Sequence, residues 1–192
     1  DRHSGPFRDY RMDIRGLLFH DVTFPAFFCG AAGVGQIWHW DQYVDQKDLW
    51  RFYKPFAELI SDLNLDFEGF VPKDLSNETV WCLVLRGRGH VLAWVRNKAD
   101  TWQNVLRDGL EPEMVPPQTF DLNMLRLKEG TVDLVWPWRD APDVDAVNVG
   151  GEATLVDGNL TLPPFRYGLM VKIGPPERSP KDKLTQETTV MG

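Results

Sequence analysis

The chain changes its hydrophobic periodicity near residue 65, and this change constrains its fold more than any other feature. Before that point, two long apolar segments with helical character flank a short strand-like run, which is an α/β pattern. After it, short β-rich runs follow one another, separated by Gly, Pro, Asn or Asp, as is typical of an antiparallel sandwich. We therefore predict an α/β segment over 1–64, a β-sandwich over 65–174 and a polar, Pro-rich tail over 175–192.

Three elements are predicted in the first segment. Residues 9–29 are apolar nearly all round, which indicates a buried helix that Pro25 kinks or interrupts. The glycine-rich loop at 30–35 leads into a strand predicted over 36–44. Apolar residues then recur at helical spacing over 47–63, which predicts a second helix.

The second segment opens with a predicted hairpin, strands 79–86 and 90–97, joined by Gly87-Arg-Gly89. The same composition and spacing predict seven more strands: 101–107, 119–125, 131–137, 144–149, 152–156, 159–162 and 166–173. Trp81, Trp94 and Trp102 alternate with aliphatic residues here, which is typical of a sandwich core; a sugar-binding face is the alternative.

Charge and composition exclude several classes of partner. The formal net charge of −7 disfavours nucleic acid, which binds to basic surfaces. No apolar run approaches the ~18 residues of a membrane helix, so we expect no membrane partner. Cys29 and Cys82 lie on apolar backgrounds, which favours two buried free thiols over a disulfide. The chain opens at Asp1 without an initiator Met, which predicts a processed or truncated product.

The run Trp38-His39-Trp40-Asp41, with Tyr43 beyond it, is the strongest functional signal. On a strand, the two indoles point to one side and the His and Asp side chains to the other. Indole faces stack on the C–H faces of sugars, while sugar hydroxyls need polar partners. The alternative is that both indoles fill a core, but the polar residues between them would then need buried partners. We predict that five residues bind substrate: Trp38, His39, Trp40, Asp41 and Tyr43.

Neither a metal nor a cofactor is expected. His20 and His39 lack a third ligand at suitable spacing, and the nearby aspartates do not follow a calcium-loop pattern. The glycines at 30–35 precede a strand rather than opening a helix, which argues against a nucleotide site.

Residues 30–60 resemble secreted bacterial glycoside hydrolases of the cellulase-like (β/α)8 superfamily, which includes family 5 and its relatives. The resemblance rests on the Gly-Ala-Ala-Gly loop at 30–33, on the Trp-rich run that ends in Asp41 and then Tyr43, and on Phe52-Tyr53-Lys54-Pro55. Farther along, Arg96-Asn-Lys98 with Trp102 and Leu162-Pro-Pro-Phe165 look similar to the β-sandwich that such enzymes append.

The resemblance implies that residues 1–64 are the last βα unit of a TIM barrel and that the protein is secreted or periplasmic. It also implies a retaining mechanism with two carboxylates about 5 Å apart. Both carboxylates would lie upstream of Asp1, so no catalytic residue is assigned to this chain. Trp38 or Trp40 would form the floor of the subsite beside the scissile bond.

The expected partners are a carbohydrate substrate and the missing N-terminal barrel portion. An isolated βα unit would expose its apolar helix and an unpaired strand, which is unfavourable in water. A homo-oligomer that covers the same surface is the alternative to the barrel portion. Two other roles for the chain stay open: a carbohydrate-binding or adhesion module, and a purely structural sandwich.

Overall fold

The computed structural model describes residues 7–138 and 151–176. These ranges contain four α-helices: α1 (Phe7–Met12), α2 (Leu17–Phe28), α3 (Tyr53–Ile60) and α4 (Leu65–Glu68). They also contain eight strands: β1 (Val71–Asp74), β2 (Val80–Arg86), β3 (Val91–Asn97), β4 (Gln118–Asp121), β5 (Thr131–Val135), β6 (Thr154–Val156), β7 (Asn159–Leu162) and β8 (Gly168–Gly174). No helix in the described ranges is both long and apolar enough to cross a membrane.

The strands form two open antiparallel sheets. The larger has five strands in the order β1-β2-β3-β8-β5, and the smaller has three in the order β4-β7-β6. Every pairing between neighbouring strands is antiparallel. The predicted mixed fold, with helices in the first segment and antiparallel sheets in the second, is therefore confirmed in its coarse outline.

The large sheet is buried on both faces. Along β2, Val80, Cys82 and Val84 belong to a hydrophobic cluster that also contains Phe120 and Leu160 from the small sheet. The alternate residues point to the other face, because successive side chains of a strand lie on opposite sides. Strand β3 is consequently buried at every position.

The N-terminal helices cover that other face. Leu85, Leu92 and Met170 of the large sheet share a second cluster with aromatic residues of α2 and α3, including Phe24 and Phe56. The chain therefore has three layers: helices, the five-stranded sheet and the three-stranded sheet. Residues on both sides of the domain boundary predicted at 64–65 therefore pack in the same hydrophobic cluster. The apolar side of α2 is covered by the large sheet and by α3 of the same chain.

The helix predicted over 9–29 is divided in two. Helix α1 ends at Met12 and α2 begins at Leu17. Between them, Gly16 adopts a left-handed conformation, with φ of 69°, and its position faces the Phe52 ring too closely for a side chain. The interruption predicted at Pro25 is wrong, since α2 continues through Pro25 to Phe28.

The strand predicted over 36–44 is absent. Residues 36–39 have no regular structure, and Trp40–Val44 form a short π-helix. A strand needs neighbours for its backbone hydrogen-bonding groups, and none of the described strands pairs with this segment. The helix predicted over 47–63 is present in part, as a 3₁₀ turn at Leu49–Phe52 that continues into α3.

In the second segment, β2 and β3 confirm the predicted hairpin. The strand predicted over 101–107 is wrong, because Gln103–Arg107 form a second π-helix. The strand over 119–125 is confirmed only in its first half, since Asn123–Leu125 form a 3₁₀ turn. Strands are present within the regions predicted at 131–137, 152–156, 159–162 and 166–173. The strand predicted at 144–149 and most of the predicted tail lie outside the described residues.

Both cysteines are free, as predicted, but only one is buried. Cys82 lies between the two sheets, where burial raises the pKa of its thiol to about 12. Cys29 is exposed at the end of α2, so the prediction of a buried thiol is wrong there.

Candidate functional site

Two indoles of the Trp-rich run are exposed to solvent. Trp38 is 88% exposed and Trp40 is 54% exposed. Together with Gln36 and Ile37 they line an open depression of about 280 Å³. Tryptophan is highly buried on average in folded proteins, so an exposed pair side by side indicates a surface that contacts another molecule. The interpretation of these indoles as core residues is therefore wrong.

The backbone below these indoles is a single π turn. The amide of Asp45 donates to the carbonyl of Trp40 at 2.8 Å, which spans five residues. Turns of this kind are rare and occur frequently at functional sites, because they displace side chains from their usual helical positions. Here the turn leaves Trp40 and Asp41 on the surface and directs Tyr43 inward.

Tyr43 anchors the turn to helix α2. It is fully buried, its hydroxyl donates to Oδ2 of Asp13 at 2.5 Å, and it accepts a bond from the amide of Phe19 at 3.3 Å. Burial and the charge of Asp13 raise the pKa of Tyr43, which therefore stays neutral. Of the five predicted substrate-binding residues, this one supports the surface from below and does not line it.

Asp13 connects the turn and the helix. Its two carboxylate oxygens accept hydrogen bonds from the amides of Leu17 and Leu18, both at 2.8 Å. These amides belong to the first turn of α2, where backbone N–H groups lack partners within the helix. The sequence reasoning missed Asp13, although an Asp shortly before an apolar helix is a recognisable capping signal.

His39 and Asp41 occupy different environments. Nδ1 of the half-buried His39 lies 3.1 Å from the hydroxyl of Tyr10, and the Tyr10 ring stacks on that of Tyr43 at 4.4 Å. Asp41 is exposed. The structure thus places His39 between the anchored interior and the exposed indoles, and Asp41 in solvent beside Trp40.

The glycine-rich loop fixes the other side of the depression. The amide of Gly35 donates to the carbonyl of Thr23 at 2.8 Å, so the loop lies directly on the α2 backbone. A Cβ at Gly35 would stand 2.1 Å from the carbonyl oxygen of Val22. Only glycine permits this approach, which sets the position of the residues leading to Trp38.

The residues that line the depression can bind a ligand through stacking on the indoles and through one polar side chain. The depression offers two indole faces and the side-chain amide of Gln36. None of the described residues that line it carries a carboxylate. Retaining hydrolysis of a glycosidic bond needs two carboxyl groups about 5 Å apart across the scissile bond. Within the described ranges, His, Cys, Asp and Glu side chains form no group of three that would hold a metal ion.

Comparison with protein-family models, with curated proteins and with solved structures finds no significant match to this chain.

Proposed function

We propose that this chain is the C-terminal part of a glycoside hydrolase and that it supplies an aromatic sugar-binding surface. The exposure of Trp38 and Trp40 on an anchored segment carries the proposal. The backbone that carries these indoles is anchored through Tyr43 and through the glycine-rich loop, so binding a flat apolar face does not require this segment to become ordered. The apolar face of a pyranose ring is the natural complement, and His39 and Asp41 supply polar partners for its hydroxyls.

In this proposal, residues 1–64 contribute helices and the Trp-rich loop, without a strand of their own, to a (β/α)8 barrel, and the two sheets form a β-sandwich that braces it. The general acid and the nucleophile come from the barrel portion, so the chain alone is inactive. Met12, at the end of α1, and Ile14, just after it, are 45% and 63% exposed and are candidates for contact with that portion. A homo-oligomer is the second candidate for covering them. Such an enzyme would act on polysaccharides outside the cytoplasm.

Titration calorimetry with soluble cello-, xylo- and manno-oligosaccharides tests the binding surface. We expect one of these series to bind, and Trp38→Ala and Trp40→Ala each to raise the dissociation constant about tenfold, which corresponds to a loss of about 1.4 kcal/mol from stacking on one aromatic ring. Trp50→Ala is the matched control. Trp50 is exposed and does not line the depression. Its Nε1 donates to Oδ1 of Asp45 at 3.1 Å. Oligosaccharide binding that neither variant weakens contradicts the proposal.

A second experiment separates the enzyme part from a stand-alone binding module. Joined to its barrel portion, the chain should hydrolyse the oligosaccharide series that it binds, and Trp40→Ala should raise KM. Residues 66–174 alone are unsuitable for this comparison, because removing the helices would expose Leu92, Trp94 and Met170. Binding without hydrolysis by the joined protein would favour a carbohydrate-binding module.

A further inference from the structure

A second cavity lies between helix α2 and the large sheet, on the part of that sheet formed by β2 and β3. Its volume is about 440 Å³, within the range of roughly 300–1,000 Å³ that is typical of small-ligand sites. Two indoles, Trp81 and Trp94, form its sheet side together with Leu83. None of the residues around the Trp38 depression lines it, so the two sites are separate.

Strand register places both indoles on one face. Leu83 pairs with Trp94 across β2 and β3, and Trp81 lies two residues before Leu83 on the same side of β2. The indoles are therefore diagonal neighbours, within reach of one another across the two strands. Trp94 is 5% exposed and Trp81 is half-buried, so this aromatic wall is held rigidly by the sheet and the helix packed on it.

Three polar side chains complete the cavity: Asp21, Thr101 and Gln103. Oδ1 of Asp21 accepts two bonds from Arg96, from Nε at 3.1 Å and from Nη2 at 3.0 Å. Oδ2 of Asp21 and the side-chain amide of Gln103 have no hydrogen-bond partner among the described residues. Burial raises the pKa of Asp21 although Arg96 opposes this. The cavity thus presents an acceptor and an amide beside its two indoles.

The charges behind the cavity cancel. Arg96 pairs with Asp21 and also with Asp100 at 2.5 Å, and Asp100 pairs in turn with Arg15 at 2.8 Å. Two guanidinium groups and two carboxylates carry no net charge. A neutral ligand therefore suits this cavity better than an anion or a cation does, since it leaves the buried network balanced.

The second π-helix of the chain, Gln103–Arg107, begins at the edge of this cavity. The amide of Asp108 donates to the carbonyl of Gln103 at 3.0 Å and closes the turn. Both π turns in the described part of the chain therefore stand beside an aromatic depression. This is the association expected of functional sites.

We propose that the cavity formed by Trp81, Trp94, Asp21 and Gln103 binds a neutral sugar residue, as a second site independent of Trp38 and Trp40. One indole stacks on the apolar face of the ring. The Asp21 carboxylate accepts from a ring hydroxyl, and the Gln103 amide pairs with another.

The test uses the whole chain and counts sites by titration calorimetry with the same cello-, xylo- and manno-oligosaccharides. The double variant Trp38→Ala/Trp40→Ala isolates the cavity and should still bind one equivalent. Adding Trp81→Ala or Gln103→Leu to it should weaken that binding about tenfold or more. Trp102→Ala is the matched control, because this neighbouring indole is 37% exposed and does not line the cavity. Circular dichroism establishes that each variant is folded.

Each outcome decides between the two sites. If the parent chain binds an oligosaccharide and the double variant does not, the second site is overturned while the proposed function stands. If Trp81→Ala and Gln103→Leu leave the affinity of the double variant unchanged, the second site is overturned. If the double variant binds with the stoichiometry of the parent chain and Trp81→Ala abolishes all binding, the second site stands and the proposed function fails. Choline chloride serves as a cationic probe; tighter binding of choline than of any sugar at this cavity overturns the sugar assignment.

Discussion

The hydroxyl of Tyr43 donates a 2.5 Å hydrogen bond to the Asp13 carboxylate, and this contact ties the exposed Trp-rich segment to the start of helix α2. Both residues are buried. The same carboxylate caps the helix through Leu17 and Leu18, so one side chain holds a helix end and a surface turn together. The stability of the candidate sugar-binding surface thus depends on residues that a ligand does not touch.

Replacing Tyr43 by Phe removes this bond and leaves a buried carboxylate oxygen with one partner fewer. We expect the free energy of unfolding to fall by about 1–3 kcal/mol, the usual cost for a buried bond to a charged group. Urea denaturation followed by far-UV circular dichroism measures it. Tyr53→Phe is the control, since the hydroxyl of this half-buried tyrosine has no hydrogen-bond partner in the described residues. Equal stability of the two variants would show that the contact is energetically unimportant.

Gly35→Ala should destabilise the chain, because the new methyl group would collide with the carbonyl oxygen of Val22 at 2.1 Å. Overpacking of this kind costs about 1–3 kcal/mol. Gly33→Ala provides a matched control in the same loop, where an added Cβ meets no atom within 4 Å. Its stability should stay within about 0.5 kcal/mol of the parent chain. A loop that tolerates both substitutions equally in thermal denaturation would refute this packing argument.

Asp100→Ala should be among the most damaging single substitutions in the chain. Asp100 is fully buried and pairs with both Arg15 and Arg96, so its loss leaves the buried Arg15 without its carboxylate and Arg96 with that of Asp21 alone. Breaking a buried ion pair in this way costs about 3–5 kcal/mol. Asp108→Ala removes a solvent-exposed pair with Arg107 and should leave the urea midpoint unchanged. Similar midpoints for the two variants would contradict the assigned roles.

His20 should make the fold sensitive to mild acid. It is buried, and neither ring nitrogen has a hydrogen-bond partner in the described residues. Burial, with Arg96 and Arg15 nearby, holds the pKa of His20 well below 6.5 in the folded state. The unfolded chain therefore binds the extra proton first, so stability is complete above about pH 6.5 and falls as the pH drops toward the folded-state pKa.

The variant His20→Phe should reduce this loss, because the ring still fills the space beside Phe24 and Trp138 without taking up a proton. Urea midpoints between pH 7.5 and 5 compare the parent chain with His20→Phe. An unchanged pH dependence in His20→Phe would assign the acid sensitivity to other groups.

Short-range patterns in the sequence were sufficient for much of the β region. The β2–β3 hairpin follows from two alternating β-rich runs around Gly87-Arg-Gly89, and several later strands follow from apolar runs between turn residues. The same reasoning failed at 101–107 and at 36–44, where both segments form π turns. Aromatic and β-branched residues favour strands locally, but a strand also needs a paired neighbour, which no local pattern specifies.

The candidate site, like the β region, could be predicted from local sequence patterns only in part. Sequence alone identified Trp38, His39, Trp40 and Asp41 as residues whose chemistry suits a sugar, because a local run of indoles with polar neighbours is visible without a fold. It did not distinguish the exposed indoles from the buried Tyr43, since that difference depends on Asp13, thirty residues away. The pairing of Asp21 with Arg96 spans 75 residues and was equally invisible.

The amino-acid sequence by itself determined that a helical segment precedes a β-rich one and that β2 and β3 form a hairpin, because hydrophobic periodicity and turn residues act over a few neighbouring positions. Only the tertiary structure decided which faces were covered. The helices bury one face of the large sheet, and the small sheet buries the other. Burial depends on contacts between segments that are distant in the sequence. These contacts leave Trp38 exposed to solvent and bury Trp94.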